Sequence, residues 1–515
     1  MDTPREIELK LQCEGGDLAE LSRHPFLQAA TPEHAAFLTS TYYDTSEGDL
    51  RANGLTLRVR REGDAYVQTV KGSAKGAGLF DRSEWEGPVA EAEPDLAQLA
   101  ETPVPGILDA ASDPALRPVF ATLVERRSRL VSYGASRIEA AFDQGRIETP
   151  EGDVPLWELE LELKEGSPED LFTLAQALGE TVPLRLGALS KSARGFRLLA
   201  GTLRRPSKAG AVHLAPETSA GEAFRAIAQA CLGHLRLNED VFLHNHDPEG
   251  LHQLRVALRR LRSAFTLFKR VLAADPVAAH LREEIKRVTE PFGHARNLDV
   301  FLSETLPTEI ARRPEEPGLE DLRERLEAER ARAYDAALAT LESQEWRSLV
   351  LDLASWLETG AWRTLPDAPE RDRAARDFAE DVLGRARKRI RKRGRHLDRL
   401  DPEARHRVRI EAKKLRYGAE FFASLYADKA SHKRHKAFVS ALSDLQDHLG
   451  ALNDQATAHE VLASLMIAPD RPPVPGQTLF AAGLAAGDTE ANARKLLKAA
   501  AQAHDDLLDV KPFWR

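Results

Sequence analysis

The stretch Glu6-Ile7-Glu8-Leu9-Lys10 places two carboxylates and an ammonium on alternate positions. On a β-strand, residues i, i+2 and i+4 share one face, so all three charges point one way while Ile7 and Leu9 point the other. Such a face cannot be a dry core, because burying charges without partners costs several kcal/mol each. Binding of a polyanion bridged by metal accounts for both signs at once.

The same alternation recurs outward along the chain. Arg58 and Arg60 share a face in Leu55 to Arg60, Thr69 and Lys71 in Ala65 to Lys71, and Arg82, Glu84 and Glu86 in the next run. Glu158, Glu160, Glu162 and Lys164 alternate with Leu159, Leu161 and Leu163; Arg127 and Arg129 pair likewise, and Asp143 is in phase with Ala141 and Glu139. Turn signals at Asn53-Gly54, Gly63-Asp64 and Glu151-Gly152 separate these runs into antiparallel strands. A solvated outer face would carry Ser, Thr and Gln, whereas these positions are nearly all Glu or Arg. The pattern predicts a closed sheet with a charged lumen, its apolar outside covered by helices near residues 16–23, 93–101, 113–123 and 168–179.

The lumen chemistry follows from the two charge sets. Lys10, Arg58, Arg60, Lys71, Arg82, Arg127 and Arg129 offer donors that match phosphate oxygens. Glu6, Glu8, Glu84, Glu86, Glu160 and Glu162, with Asp143, would repel one another unless hard divalent cations, Mg²⁺ or Mn²⁺, bridge them. No Ser-His or Cys-His pair is evident, and His24 and His34 lie outside the strand pattern, so water is the expected nucleophile.

The chain has 515 residues and a formal net charge of −9, with only two cysteines, Cys13 and Cys231. Disulfides are therefore not a structural strategy. No apolar run approaches the length of a membrane span, and Met1 to Arg5 lack the features of a signal peptide; a cytoplasmic location without membrane partners is expected. Residues 1–200 hold 21 Lys+Arg against 34 Asp+Glu, while the remainder is slightly basic. Two differently built parts are implied, with Arg204 to Pro216 as a linker.

From Ser219 the hydrophobic period changes to 3.6, and an internal repeat appears. His252-Gln-Leu-Arg255-Val-Ala-Leu-Arg259-Arg-Leu-Arg262 matches His406-Arg-Val-Arg409-Ile-Glu-Ala-Lys413-Lys-Leu-Arg416, and Gly293 to Asn297 matches Gly450 to Asp454. The halves, about 217–345 and 374–510, are joined by the Trp-bearing segment 346–373. Offsets 0, 3, 7 and 10 form one helical stripe, so each half carries a histidine and three cations suited to an extended polyanion. A second basic run, Arg387 to Arg395, has no interleaved aromatics, which favours phosphates over bases and argues against nucleic acid.

Glu6-x-Glu8-x-Lys10, Tyr43-Asp44-Thr45 with Gly54 to Arg60, Thr69-Val70-Lys71-Gly72, Arg82-x-Glu84-x-Glu86 and Glu158-x-Glu160-x-Glu162 resemble the CYTH domain, the triphosphate tunnel metalloenzymes. That resemblance implies an eight-stranded antiparallel tunnel over about residues 1–203 and adds Lys191 as a late tunnel lysine. The duplicated helical pattern resembles the CHAD domain, which is associated with polyphosphate, over residues 217–515; Asn297 stands where that family often has an acid. The expected fold is thus α+β in two domains, a helix-jacketed β tunnel and an all-α duplicated bundle. The tandem order resembles bacterial inorganic triphosphatases. It implies metal-dependent hydrolysis of tripolyphosphate to pyrophosphate and phosphate, with long polyphosphate held on the helical domain and an association with polyphosphate granules. A nucleotide or thiamine triphosphatase, a class IV adenylate cyclase, and a non-catalytic polyphosphate adaptor remain alternatives.

Overall fold

The computed structural model describes residues 5–28, 33–73, 78–467 and 473–515; for 454–456, 464–467 and 487–492 it describes the backbone alone. The strands are β1 (Arg5–Gln12), β2 (His34–Asp44), β3 (Leu55–Glu62), β4 (Ala65–Gly72), β5 (Leu79–Val89), β6 (Arg117–Tyr133), β7 (Ser136–Thr149), β8 (Gly152–Glu165) and the short β9 (Arg185–Leu186). All pairings are antiparallel, in the order β5-β4-β3-β2-β6-β7-β8-β1, and β1 pairs with β5 to close an eight-stranded barrel; β9 is appended to β1. Closure leaves no free sheet edge and gives every strand an inner and an outer face.

Helices α1 (Gly15–Leu21), α2 (Asp49–Ala52), α3 (Val104–Leu108), α4 (Pro168–Gly179) and α5 (Lys191–Leu199) accompany the barrel. The outer residues Leu55, Leu57, Val59 and Val70 are buried in one cluster with Leu50 of α2 and Val104 and Leu108 of α3. Burial of these side chains drives the jacket, at about 1.5–3 kcal/mol for each one fully buried. Residues 113–123, expected as a helix, instead enter β6. Ala115, Leu116 and Ala121 suggest a helix locally, but Phe120, Thr122 and Val124 are buried at period two, and pairing with β2 and β7 overrides the local propensity. The helix expected at 93–101 reduces to a single turn at Ala97–Leu99.

The remaining helices are α6 (Ala220–Asn245), α7 (Pro248–Leu267), α8 (Pro276–Val288), α9 (Glu290–Val300), α10 (Leu306–Arg312), α11 (Gly318–Glu342), α12 (Gln344–Thr359), α13 (Pro369–Asp372), α14 (Ala375–Arg393), α15 (Pro402–Phe421), α16 (Lys429–Ile467) and α17 (Gly476–Asp509). The duplication extends to their starts. Asp247 caps α7 and Asp401 caps α15, each followed by proline at the first helical position, where its missing N–H costs nothing. Phe268 stacks on Phe378 at 4.7 Å and lies 5.7 Å from its repeat mate Phe422, in the core the two copies share.

By packing, the chain divides into two units. One contains residues 1–207, 236–241 and 342–360; the other contains 208–235, 242–341 and 361–515. Helix α12, read from sequence as part of a connector, therefore belongs with the barrel, where Gln176 of α4 donates a hydrogen bond to Asp352.

Candidate functional site: a charged tunnel

The barrel encloses a cavity of about 330 Å³. Lys10, Arg58, Arg60, Lys71, Arg82 and Lys191 line it, together with Glu6, Glu8, Glu84, Glu86, Glu160 and Glu162. Alternation alone brings most of them together, since Lys10 lies opposite Glu160, Glu8 opposite Glu162, Glu6 opposite Arg82 and Lys71 opposite Glu84. Lys191 arrives differently, at the first position of α5. That helix is capped by Ser190, and at Gly195 any Cβ would run into the Phe120 ring, so glycine lets the helix approach the barrel.

Arg127 and Arg129 do not reach the lumen. In the β6–β7 register Arg126 faces Asp143, whereas Arg127 faces Phe142 and Arg129 faces Ala140, so the inner phase of β6 is Arg126 and Ser128. Two arginines at i and i+2 on the outer face disguised this one-residue slip. Arg129 is an outer anchor: it donates to Glu33 at 2.6 Å and to the Ser22 and Leu27 carbonyls, with its guanidinium 5.5 Å from the Phe142 ring. The lumen also contains residues not assigned from sequence: Arg126, Glu139, Lys164 and Tyr42, together with His34 at the start of β2, which lies 3.3 Å from Glu62. Glu158, quoted in the sequence motif but not proposed as a ligand, is buried beside Lys191. The cross-strand partner of Asp143 is the signal that would have found Arg126.

Two ion-pair networks hold the wall. In the first, Lys71 donates to both Glu6 oxygens at 2.8 Å and lies 2.9 Å from Glu84, while Arg82 bridges Glu6 at 3.0 Å and Glu8 at 2.5 Å. In the second, Arg126 grips Asp143 through two bonds of 2.7 and 2.6 Å and Glu160 at 2.5 Å. Lys191 sits among Asp143 (2.6 Å), Glu160 (2.8 Å) and Glu158, and Lys10 links Glu160 to Glu8 (3.1 Å). Burial pushes the Glu6 carboxyl up, but Lys71, Arg82 and Lys10 outweigh it and hold the group at about 2. Glu160 is likewise held well below the usual carboxylate range by Lys10, Lys191 and Arg126 against the cost of burial, whereas burial wins at Glu158 and Glu162 and raises them. Lys191 is raised well above its ordinary value by Asp143, Glu158 and Glu160 despite burial.

Two features of this lumen invite a ligand. The Nε atoms of Arg58 and Arg60 are buried with no hydrogen-bond partner among the described atoms, and burial together with Arg58 depresses Arg60. An anion would satisfy both donors. Asp143, Glu158 and Glu160 also present carboxylate oxygens within 4.8 Å of one another, around the Lys191 ammonium, which a metal ion would have to displace. Hard oxygen donors at that spacing suit Mg²⁺ or Mn²⁺, and Glu6 and Glu8 extend the donor set along β1.

On the helical unit His252, Arg255, Arg259 and Arg262 lie on α7, and His406, Arg409, Lys413 and Arg416 lie on α15. Arg255 donates to the Phe292 carbonyl, and a Cβ at Gly293 would come within 3.2 Å of its guanidinium; at Gly450 the same atom would stand 4.0 Å from the Arg409 guanidinium, an ordinary contact. The glycine makes room for the arginine in the first copy only. Burial, Arg296, Arg259 and Arg255 together hold His252 at about 4, and the Nε of Arg259 is buried without a hydrogen-bond partner. Arg262 is half-buried and depressed mainly by that burial. His406 shares a hydrogen bond with Asn453 at 3.0 Å, Lys413 lies one turn beyond Arg409, and Arg416 pairs with Glu420 at 3.2 Å. The side chain of Asp454 lies outside the described residues. Among the described residues no helix is long and apolar enough to cross a membrane.

Comparison with known proteins agrees with both halves. Residues 4–196 match the CYTH domain family and residues 226–463 the CHAD domain family. An inorganic triphosphatase of Haemophilus influenzae is 34% identical over 198 residues, which is 38% of this chain and 55% of that protein, so the match spans about half of that relative. An uncharacterised protein of Mycobacterium tuberculosis is 26% identical over 444 residues, 80% of each chain. The crystal structure of the CHAD domain from the plant Ricinus communis is 31% identical and covers 59% of this chain and 97% of its own, with a TM-score of 0.51. By sequence and by fold, the chain joins an N-terminal CYTH domain to a C-terminal CHAD domain.

Proposed function

We propose that the tunnel hydrolyses inorganic tripolyphosphate to pyrophosphate and phosphate in a divalent-metal-dependent reaction, and that the CHAD domain binds inorganic polyphosphate. The observation that carries this reading is the lumen wall. Both charge signs alternate around it, two arginine donors are unsatisfied, and Tyr42 is the one aromatic among the described lining residues. A chain of phosphates meets donors throughout, whereas a base or thiazolium ring finds little apolar surface. The likeness of the tunnel segment to the Haemophilus inorganic triphosphatase points the same way.

Asp143, Glu158 and Glu160, with Glu6 and Glu8, are the residues suited to hold Mg²⁺ or Mn²⁺; Glu84, Glu86 and Glu162 complete the acidic wall. When bound, such an ion would supply positive charge that offsets the charge of the phosphate chain. Arg58, Arg60, Lys71 and Arg82 would grip the chain from one side of the barrel, and Lys10, Arg126 and Lys191 from the other. Water supplies the nucleophile; its oxygen forms a bond to the terminal phosphorus while pyrophosphate leaves with the bridging electron pair. Release of phosphate from tripolyphosphate, ATP and thiamine triphosphate with Mg²⁺ or Mn²⁺ tests the assignment, with tripolyphosphate expected to turn over fastest. Unchanged turnover by Glu8→Ala would refute the metal-binding wall.

A further inference from the structure

The basic run of α14 resolves into two sets of residues with different jobs. Arg387 donates to the carbonyls of Leu508 and Val510, and Arg389 and Arg393 both pair with Glu411. These three are structural. Lys388, Arg391, Lys392 and Arg395 are exposed and form no ion pair with a described residue; offsets of 0, 3 and 4 put the first three on one face of α14, and Arg395 follows in the turn after the helix ends. These cations border a cleft of about 880 Å³ that is also lined by His396 and Asp398 and, on α17, by His504 and Asp505, so four cations face two carboxylates there. Crowding of like charge is already felt there, since Arg387 is depressed by burial and then by Arg391 and Arg515.

The internal duplication allows this region to be compared with its counterpart in the first copy. The register that pairs His252 with His406 pairs residues 236–239 of α6 with 390–393 of α14, where α14 ends while α6 runs on to Asn245. In the first copy that surface belongs to the barrel unit. Arg236 donates to the Leu186 carbonyl at 2.8 Å, Asn238 bonds Ser207 at 2.9 Å, and Glu239 pairs with Arg185 at 2.8 Å. Helix α12 of the connector packs in the same unit. In the second copy Ile390, the counterpart of Arg236, is buried and Arg393, the counterpart of Glu239, pairs with Glu411, whereas Lys392 in place of Asn238 and Arg391 in place of Leu237 are exposed beside the cleft. At these two positions the second copy carries cations where the first carries an amide and a leucine.

We propose that this cleft binds a linear phosphate chain at a site separate from the two repeated stripes. Three exposed cations on one face of α14, with Arg395 in the following turn, match the closely spaced charges of such a chain, and guanidinium and ammonium donors bind phosphate oxygens by charge-assisted hydrogen bonds. Among the described residues no Phe, Tyr or Trp lines the cleft for base stacking. The consequence is a third contact for long polyphosphate, which raises its retention through effective concentration.

Lysine acetylation of the full chain, read residue by residue by mass spectrometry, tests the proposal. Inorganic polyphosphate, at about ten times its Kd, is expected to slow modification of Lys388 and Lys392 about tenfold. Equal modification with and without polyphosphate would overturn the cleft, while Lys413 reports on the stripe independently, so failure of one reading leaves the other standing. RNA or polyglutamate of matched charge that protects Lys388 as strongly would overturn the ligand class. As a second arm, R391E/K392E/R395E is expected to weaken long-polyphosphate binding about tenfold with tripolyphosphate turnover unchanged; unchanged binding would count against the site.

Discussion

Arg126 and Arg127 are adjacent and chemically identical, yet the barrel assigns them opposite faces. Arg126→Gln removes the guanidinium that holds Asp143 and Glu160 together, and is expected to lower kcat/KM for tripolyphosphate about 100-fold or more. Arg127→Gln is expected to stay within about twofold, as surface substitutions do; steady-state phosphate release compares them directly. Glu6 gives a pH signature. Its folded value of about 2 lies below the ordinary value of 4.5, so the stability it contributes is complete above 4.5 and is lost as pH falls towards 2. Denaturant unfolding of wild type should therefore weaken across that interval more steeply than that of Glu6→Gln, and parallel curves would contradict the ion-pair assignment.

Among the elements, α5 shows how packing serves chemistry. Gly195→Ala forces the helix away from Phe120 and is expected to cost about 1–3 kcal/mol, as overpacking does, and to reduce turnover by displacing Lys191 from its three carboxylates. Thermal unfolding and kinetics together check this; an unchanged melting temperature would mean the contact is slack. On α7, the low value of His252 implies a neutral imidazole from about pH 5 upward. Phosphate bound on the stripe should raise its NMR titration midpoint from about 4, and a fixed midpoint would remove His252 from the contact. Strands with a charged inner face and an apolar outer face could be read from alternation alone, because period two reports the two faces directly. The 113–123 segment could not, since its Ala and Leu content suits a helix until β2 and β7 pair with it.

Across the whole molecule, the barrel unit draws on two segments remote in sequence, 236–241 and 342–360. A fragment ending at residue 207 would lack α12 and expose part of α4, so it is expected to melt below the full chain or to aggregate. Light scattering and differential scanning calorimetry on the fragment would show this, and a fragment as stable as the intact protein would deny α12 its role. The repeat was legible because aligned residues need only the linear string. What each copy does with corresponding positions was not, because Asn238 and Lys392 share a helical position, yet Asn238 bonds Ser207 while Lys392 is exposed.

The sequence by itself determined the tunnel, the duplicated helical bundle and most of the lumen charges, because local periodicity records which residues share a face. Only the tertiary structure decided that Arg126 rather than Arg127 faces the lumen, that Glu158 joins Asp143 and Glu160 around Lys191, and that three of the seven cations from Arg387 to Arg395 are spent on internal bonds. These outcomes depend on cross-strand register and on contacts between residues far apart in the chain, and such contacts form only when the chain closes on itself.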